Sequence, residues 1–74
     1  MARIEKLVQK MKNRPHGIQF DEVTKVLQHY GYELVRSKGS HFQFRNSSGD
    51  LTTIKKEQPL KAAYVKDVLD RIGE

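Results

Sequence analysis

The sequence predicts an α+β fold in the order α-α-β-β-β-α, with a three-stranded antiparallel sheet covered by helices on one face. Three observations predict it. Apolar residues recur at helical spacing near both ends of the chain, and apolar and polar residues alternate in its middle, as in half-buried strands. A chain of 74 residues makes one small domain, and because it has no cysteine this domain has no disulfide framework. A sheet this small is too weak to stand alone, so helices must cover one of its faces.

Helical spacing predicts three helices, over residues 3–13, 20–30 and 61–72. In the first, apolar residues follow the i, i+3, i+4, i+7 rule, and we expect this apolar stripe to pack against the helix's own domain. The second begins with two acidic residues, which the helix dipole favours, and ends at Gly31. We predict a single domain over residues 1–74, in which residues 1–17 form an extra N-terminal helix and turn.

Strand composition predicts three short strands, over residues 32–36, 41–45 and 51–55. The middle strand alternates strictly, so Phe42 and Phe44 are predicted to lie under the helices. The other three side chains of that strand then point to the open face of the sheet: His41, Gln43 and Arg45. Residues 37–40 are predicted to form the turn before it, and a bulge near Gly39 would change the direction of His41.

The net charge of +5 is concentrated in two basic blocks. Residues 1–14 hold five cations and one anion, and residues 36–61 hold six cations and two anions, so each block carries +4. Such blocks favour a polyanionic partner, either nucleic acid or an acidic protein surface, although solubility alone also explains a charge of this size. No apolar run is longer than four residues, so we predict no membrane span or signal peptide and expect a soluble, cytoplasmic protein.

The candidate for chemistry is His41, which follows a basic turn. The other two histidines have no spacing typical of metal ligands with it, so no metal site and no cofactor is predicted. The segment Arg36-Ser37-Lys38-Gly39-Ser40 supplies cations, hydroxyls and a flexible backbone whose N–H groups can cradle an anion. A histidine beside a bound phosphodiester can act as a general acid and base, with the RNA 2′-hydroxyl as the nucleophile. The alternative is a histidine that caps a hairpin turn.

The segment GYELVRSKGSHFQF, residues 31–44, resembles the HicA toxin family, also called YcfA-like. The family pattern runs G-[WY]-x-L-V-R-x-[KR]-G-S-H and continues into a strand with alternating aromatic residues. The resemblance covers about residues 18–72 and implies a fold of the double-stranded-RNA-binding-domain type. Many members carry T-[IV]-P-x-H after the third strand, whereas this chain has Lys55 at the proline position and Glu57 at the histidine position.

The resemblance implies a metal-independent mRNA interferase that cuts single-stranded RNA or mRNA and is neutralised by a HicB-type antitoxin. It places the catalytic histidine at His41, without a membrane or a metal as partner. Six residues are expected to contact RNA: Arg36, Lys38, Gly39, Ser40, Arg45 and Lys55. Two alternatives remain, a non-catalytic RNA-binding module of the same fold and a basic protein-interaction domain.

Overall fold

The computed structural model describes residues 2–57 and 59–73, of which residues 2 and 3 are described by their backbone only. Its elements follow the predicted order, which confirms the α+β fold. They are α1 (Ala2–Asn13), α2 (Phe20–His29), β1 (Glu33–Lys38), β2 (His41–Arg45), β3 (Leu51–Lys55) and α3 (Ala62–Arg71). The strands form one antiparallel sheet in the order β1-β2-β3, so β2 is its central strand. The predicted likeness to the double-stranded-RNA-binding domain is compatible with this order and stays a prediction.

The helices cover one face of the sheet, mainly across β2 and β3. Phe44 and Ile54 are each 1% exposed on this face, and Phe42 is half-buried beside the ring of Phe20, with ring centroids 4.9 Å apart. The helices contribute further fully buried side chains: Val23, Val26, Leu27, Val65 and Val68. Burial of each such side chain stabilises the fold by about 1.5–3 kcal/mol, so this layer anchors β2 and β3 firmly.

The extra helix α1 packs on its own domain, as the sequence predicts. Val8 and Met11 lie in the same core as α2 and α3, and Met11 is fully buried. An ion pair between Lys10 Nζ and Glu22 Oε2, at 2.7 Å, also joins α1 to α2. The pKa of Glu22 is lowered, because its hydrogen bonds with Lys10 and the backbone of Gln19 outweigh the opposing effect of burial.

The edge strand β1 is exposed along its whole length. Its apolar residues Leu34 and Val35 are 48% and 46% exposed, because the helices lie over the other two strands. The strand also extends two residues further than predicted, to Lys38, and the turn is reduced to Gly39 and Ser40. The predicted four-residue turn is therefore wrong, since two residues suffice once Gly39 adopts a positive φ of 59°.

A β-bulge at Val35 changes the register between β1 and β2. Leu34 lies opposite Phe44 and Arg36 lies opposite Gln43, which leaves Val35 as an extra residue. A bulge places two residues of one strand opposite one residue of its neighbour. The sequence raised the prospect of a bulge near Gly39, whereas the structure has it four residues earlier.

A polar network fastens α3 to the loop between β2 and β3. Arg71 Nη1 contacts both carboxylate oxygens of Asp50 at 2.8 Å, and its Nε donates to Asp67 Oδ2 at 2.8 Å. The buried hydroxyls of Tyr32 and Thr52 donate to Asp50 and Asp67, respectively. The network therefore satisfies two buried hydroxyl groups and joins three parts of the chain.

Candidate active site

The open face of the sheet contains a hollow of about 740 Å³ at the end of the β1–β2 hairpin. We call it the His41 hollow. Seven residues line it: Arg36, Lys38, Gly39, Ser40, His41, Gln43 and Thr53. Five of these were predicted to take part in catalysis or RNA binding. The volume is in the range of pockets that hold small ligands.

The turn between β1 and β2 forms one end of the hollow. Gly39 has a φ of 59°. No described residue other than glycine has a positive φ, so the φ of Ser40 is negative. Glycine with positive φ at the first central position defines a type II′ turn, which matches the twist of the two strands. The Ser40 carbonyl accepts a hydrogen bond from the Lys56 N–H at 2.7 Å, which ties the turn to the segment after β3.

His41 begins β2, directly after this turn, and its side chain is exposed. Its cross-strand neighbours are Lys38 on β1 and Lys55 on β3. Directly opposite residues in a sheet share a face, so a lysine flanks the histidine on each side. The Lys55 ammonium is 3.3 Å from Glu57 Oε1, which restrains this lysine beside the site. A histidine between two cations is a suitable arrangement for an anionic ligand such as a phosphate.

The bulge at Val35 places Arg36 in the hollow. Side chains alternate along a strand, and Leu34 lies on the covered face opposite Phe44. Without an extra residue, Arg36 would lie on that covered face as well. The bulge gives it Gln43 as its opposite residue instead, and so moves it to the open face. Arg36 and Lys38 are therefore on the same face as His41 because of a single inserted residue.

Gln43 and Thr53 line the hollow without having been predicted as site residues. Alternation along β2 did predict that Gln43 lies on the open face, but no role was assigned to it. Thr53 is the cross-strand partner of Gln43. Its place in the hollow depends on the register between β2 and β3, which no local sequence pattern specifies.

Arg45 and Lys55 lie outside the residues that line the His41 hollow. Arg45 belongs to a second hollow of about 510 Å³, which Glu33 and Val35 also line. Arg45 is four positions from His41 along β2, or about 13 Å at the usual rise of a strand. The structure therefore places the predicted RNA contacts along the whole open face, with most of them gathered at one end.

The other two described histidines are remote from this face. His29 ends α2 and lies edge-on to the Tyr30 ring at 5.2 Å, and His16 is an exposed residue between α1 and α2. No group of three or more histidine and acidic side chains in residues 2–57 and 59–73 is placed to hold a metal ion. In the same residues, the helices are too short and too polar to cross a membrane.

A comparison with protein families identifies the family to which most of the chain is similar. A family model described as "HicA toxin of bacterial toxin-antitoxin" matches residues 20–73, from the start of α2 to the end of the described chain. The matched region contains every residue of the His41 hollow. No curated protein and no solved structure matches the chain.

Proposed function

Because the chain belongs to the HicA toxin family of bacterial toxin–antitoxin systems, we propose that it is a metal-independent endoribonuclease in which His41 is the catalytic residue. One observation carries this proposal. His41 is exposed in a hollow that also holds Arg36, Lys38 and a glycine turn, all on one face of the sheet. General acid–base chemistry on a phosphodiester needs these parts together.

In the proposed reaction, RNA lies on the open face with the scissile phosphate near the Gly39–Ser40 turn. The His41 imidazole takes the proton of the neighbouring 2′-hydroxyl, and the 2′-oxygen attacks phosphorus. The bond between O2′ and phosphorus forms as the bond between phosphorus and O5′ breaks, and the imidazolium returns its proton to O5′. The products are a 2′,3′-cyclic phosphate and a 5′-hydroxyl.

The cations around His41 stabilise the charge that develops in this step. Arg36 and Lys38 are placed to contact the nonbridging phosphate oxygens, where a guanidinium or an ammonium is strongly favoured. Lys55 flanks His41 from the β3 side and can contact the same or the next phosphate. Arg45 is assigned to a phosphate further along the strand, since it lies at the far end of the face.

A second candidate, RNA binding without cleavage, is favoured by one feature. Glu57 stands where many family members have a second histidine, and its carboxylate pairs with Lys55. If a second histidine were needed for proton transfer, this chain would bind RNA through its basic face and release it uncut. The experiment that follows separates the two candidates.

The test is cleavage of single-stranded RNA by purified protein in the presence of EDTA. We expect the unmodified protein to cleave and His41→Ala to lose at least about 100-fold in rate, the lower end of what acid–base catalysis contributes. The His41 side chain is exposed, so its loss changes stability by less than about 1 kcal/mol. His29→Ala is the matched control and keeps full activity. Equal cleavage by His41→Ala would overturn the mechanism, and binding without cleavage would favour the second candidate.

A HicB-type antitoxin is the proposed partner that restrains this activity. A nuclease that cuts cellular RNA harms its own cell unless an inhibitor covers it. The open face is basic and uncovered, which favours fast association with an acidic protein surface. We propose that the antitoxin covers the His41 hollow.

A further inference from the structure

The His41 hollow holds two neutral polar side chains that the proposed mechanism does not use. Gln43 is half-buried and Thr53 is exposed, and the two are opposite one another on β2 and β3. Among the described residues, neither the Gln43 amide nor the Thr53 hydroxyl has a hydrogen-bond partner. Both groups are therefore available to a ligand in the hollow.

Their position relative to His41 suits a base rather than a phosphate. Gln43 is two residues from His41 on the same face of β2, or about 7 Å along the strand. That distance is similar to the distance between a scissile phosphate and the hydrogen-bonding edge of an adjacent unstacked base. Lys38 and Lys55 flank His41, and Arg36 on β1 lies opposite Gln43. A phosphate held by these cations near His41 leaves the neighbouring base to extend toward the two neutral groups on β2 and β3.

We infer that Gln43 and Thr53 read the base next to the scissile phosphate and give the enzyme a preference for adenine at that position; this inference rests on the proposed function. A glutamine amide has one donor and one acceptor side by side, and adenine offers the matching acceptor and donor at N7 and N6. Single-stranded RNA is recognised by such contacts, because its unstacked bases expose their edges. Thr53 adds a hydroxyl that donates or accepts beside the amide.

A substitution at Gln43 changes the preference in a direction that its chemistry specifies. Gln43→Ala removes both hydrogen-bonding groups and is expected to bring the preference for adenine close to none. Gln43→Glu leaves only acceptors at neutral pH, and carboxylates accept from the cytosine N4 amino group. The preference is therefore expected to move from adenine toward cytosine in this variant.

The test uses four RNA oligonucleotides that differ only at the base next to a mapped cleavage site. The unmodified protein should cleave the adenine oligonucleotide about tenfold faster than the others, the order expected for a bidentate contact between an amide and a base. Gln28→Ala is the matched control, since Gln28 is exposed on α2, away from the open face, and this variant should keep both rate and preference. Binding of the four oligonucleotides to His41→Ala measures the same preference without cleavage.

The outcomes separate this inference from the proposed function. Cleavage that depends on His41 but shows the same base preference in Gln43→Ala would overturn the inference and leave the proposed function in place. An adenine preference in binding that Gln43→Ala removes would support the inference even where the protein does not cleave. Absence of both binding and cleavage would overturn the two together.

Discussion

His41 depends on its neighbours for any function that it has. Its ring is exposed at the start of β2, and its position follows from the type II′ turn before it and from the lysines opposite it on both neighbouring strands. The two lysines place positive charge on both sides of His41 on the open face. The chemistry proposed for this residue therefore depends on the hairpin, and a histidine at the end of a helix, such as His29, does not have these neighbours.

At the residue scale, Lys38→Ala and Arg45→Ala test which cations contact RNA. Each variant should weaken binding to all single-stranded sequences alike and reduce the slope of log affinity against log salt by about 0.7 per lost contact. The two residues lie in separate hollows, so the effects should add in the double variant. Titrations at several salt concentrations measure this, with Lys66→Ala on α3 as the control. An unchanged slope in the double variant would show that this basic surface serves solubility only.

At the scale of elements, the helices and the approximate positions of the strands could be predicted from sequence, whereas the bulge and the exposure of the edge strand β1 could not. The positions of Val23, Val26 and Leu27 in α2 repeat with the helix itself, so a local pattern carries the information. The bulge at Val35 is different, since it depends on how β1 pairs with β2. Leu34 and Val35 are residue types that are usually buried in strands. They are exposed because the helices lie over β2 and β3 and leave β1 uncovered.

The candidate site was predicted in part for the same reason. His41 and its glycine turn are consecutive in the sequence, and the alternation of β2 gives their face correctly. The presence of Arg36 in the hollow needs the bulge, and that of Thr53 needs the register of β3. Both are non-local features that a single sequence does not encode in any short pattern.

The network between Asp50 and Arg71 gives a prediction about acid stability. Hydrogen bonds from Tyr32 and Arg71 hold the pKa of Asp50 below its usual range in the folded protein. The stabilisation is fully present above the ordinary aspartate pKa of about 4, and it is lost as the pH falls through the lower folded-state value. Asp50→Asn should therefore be less stable than the unmodified protein at pH 7, and the difference should shrink below about pH 4.

Thermal unfolding between pH 2 and pH 7 measures this difference. Asp70→Asn is the control, because the exposed Asp70 carboxylate on α3 has no partner among the described residues. Tyr32→Phe removes the buried hydroxyl and should cost about 1 kcal/mol at neutral pH. A difference between Asp50→Asn and the unmodified protein that stays constant across this pH range would contradict the role given to the network.

At the scale of the whole molecule, two surfaces of the described residues are compared as sites for a partner. One is the open face around His41, and the other is the outer side of α1, which lies before the region matched by the family model. The apolar stripe of α1 is already used, since Val8 and Met11 are in the core. The open face, with its concentrated positive charge, is therefore the better site for an acidic antitoxin.

Hydrogen exchange on the complex with a HicB-type antitoxin tests this choice. We expect slower exchange of backbone amides in residues 36–45 and little change in residues 3–13. A standard interface covers about 800 Å² on each partner, which is enough to cover the His41 hollow and much of the face around it. Protection confined to residues 3–13, with residues 36–45 still exchanging freely, would contradict coverage of the site.

Catalysis by His41 is tested with an RNA that carries a single 2′-deoxy nucleotide at the mapped cleavage site. In the proposed mechanism, His41 takes the proton of that one 2′-hydroxyl, so the substitution should abolish cleavage there while binding stays within about threefold. The all-RNA control should give a 2′,3′-cyclic phosphate and a 5′-hydroxyl, in EDTA and only with His41 present. Cleavage of the 2′-deoxy substrate at the same position, or products that lack the cyclic phosphate throughout the reaction, would contradict the account.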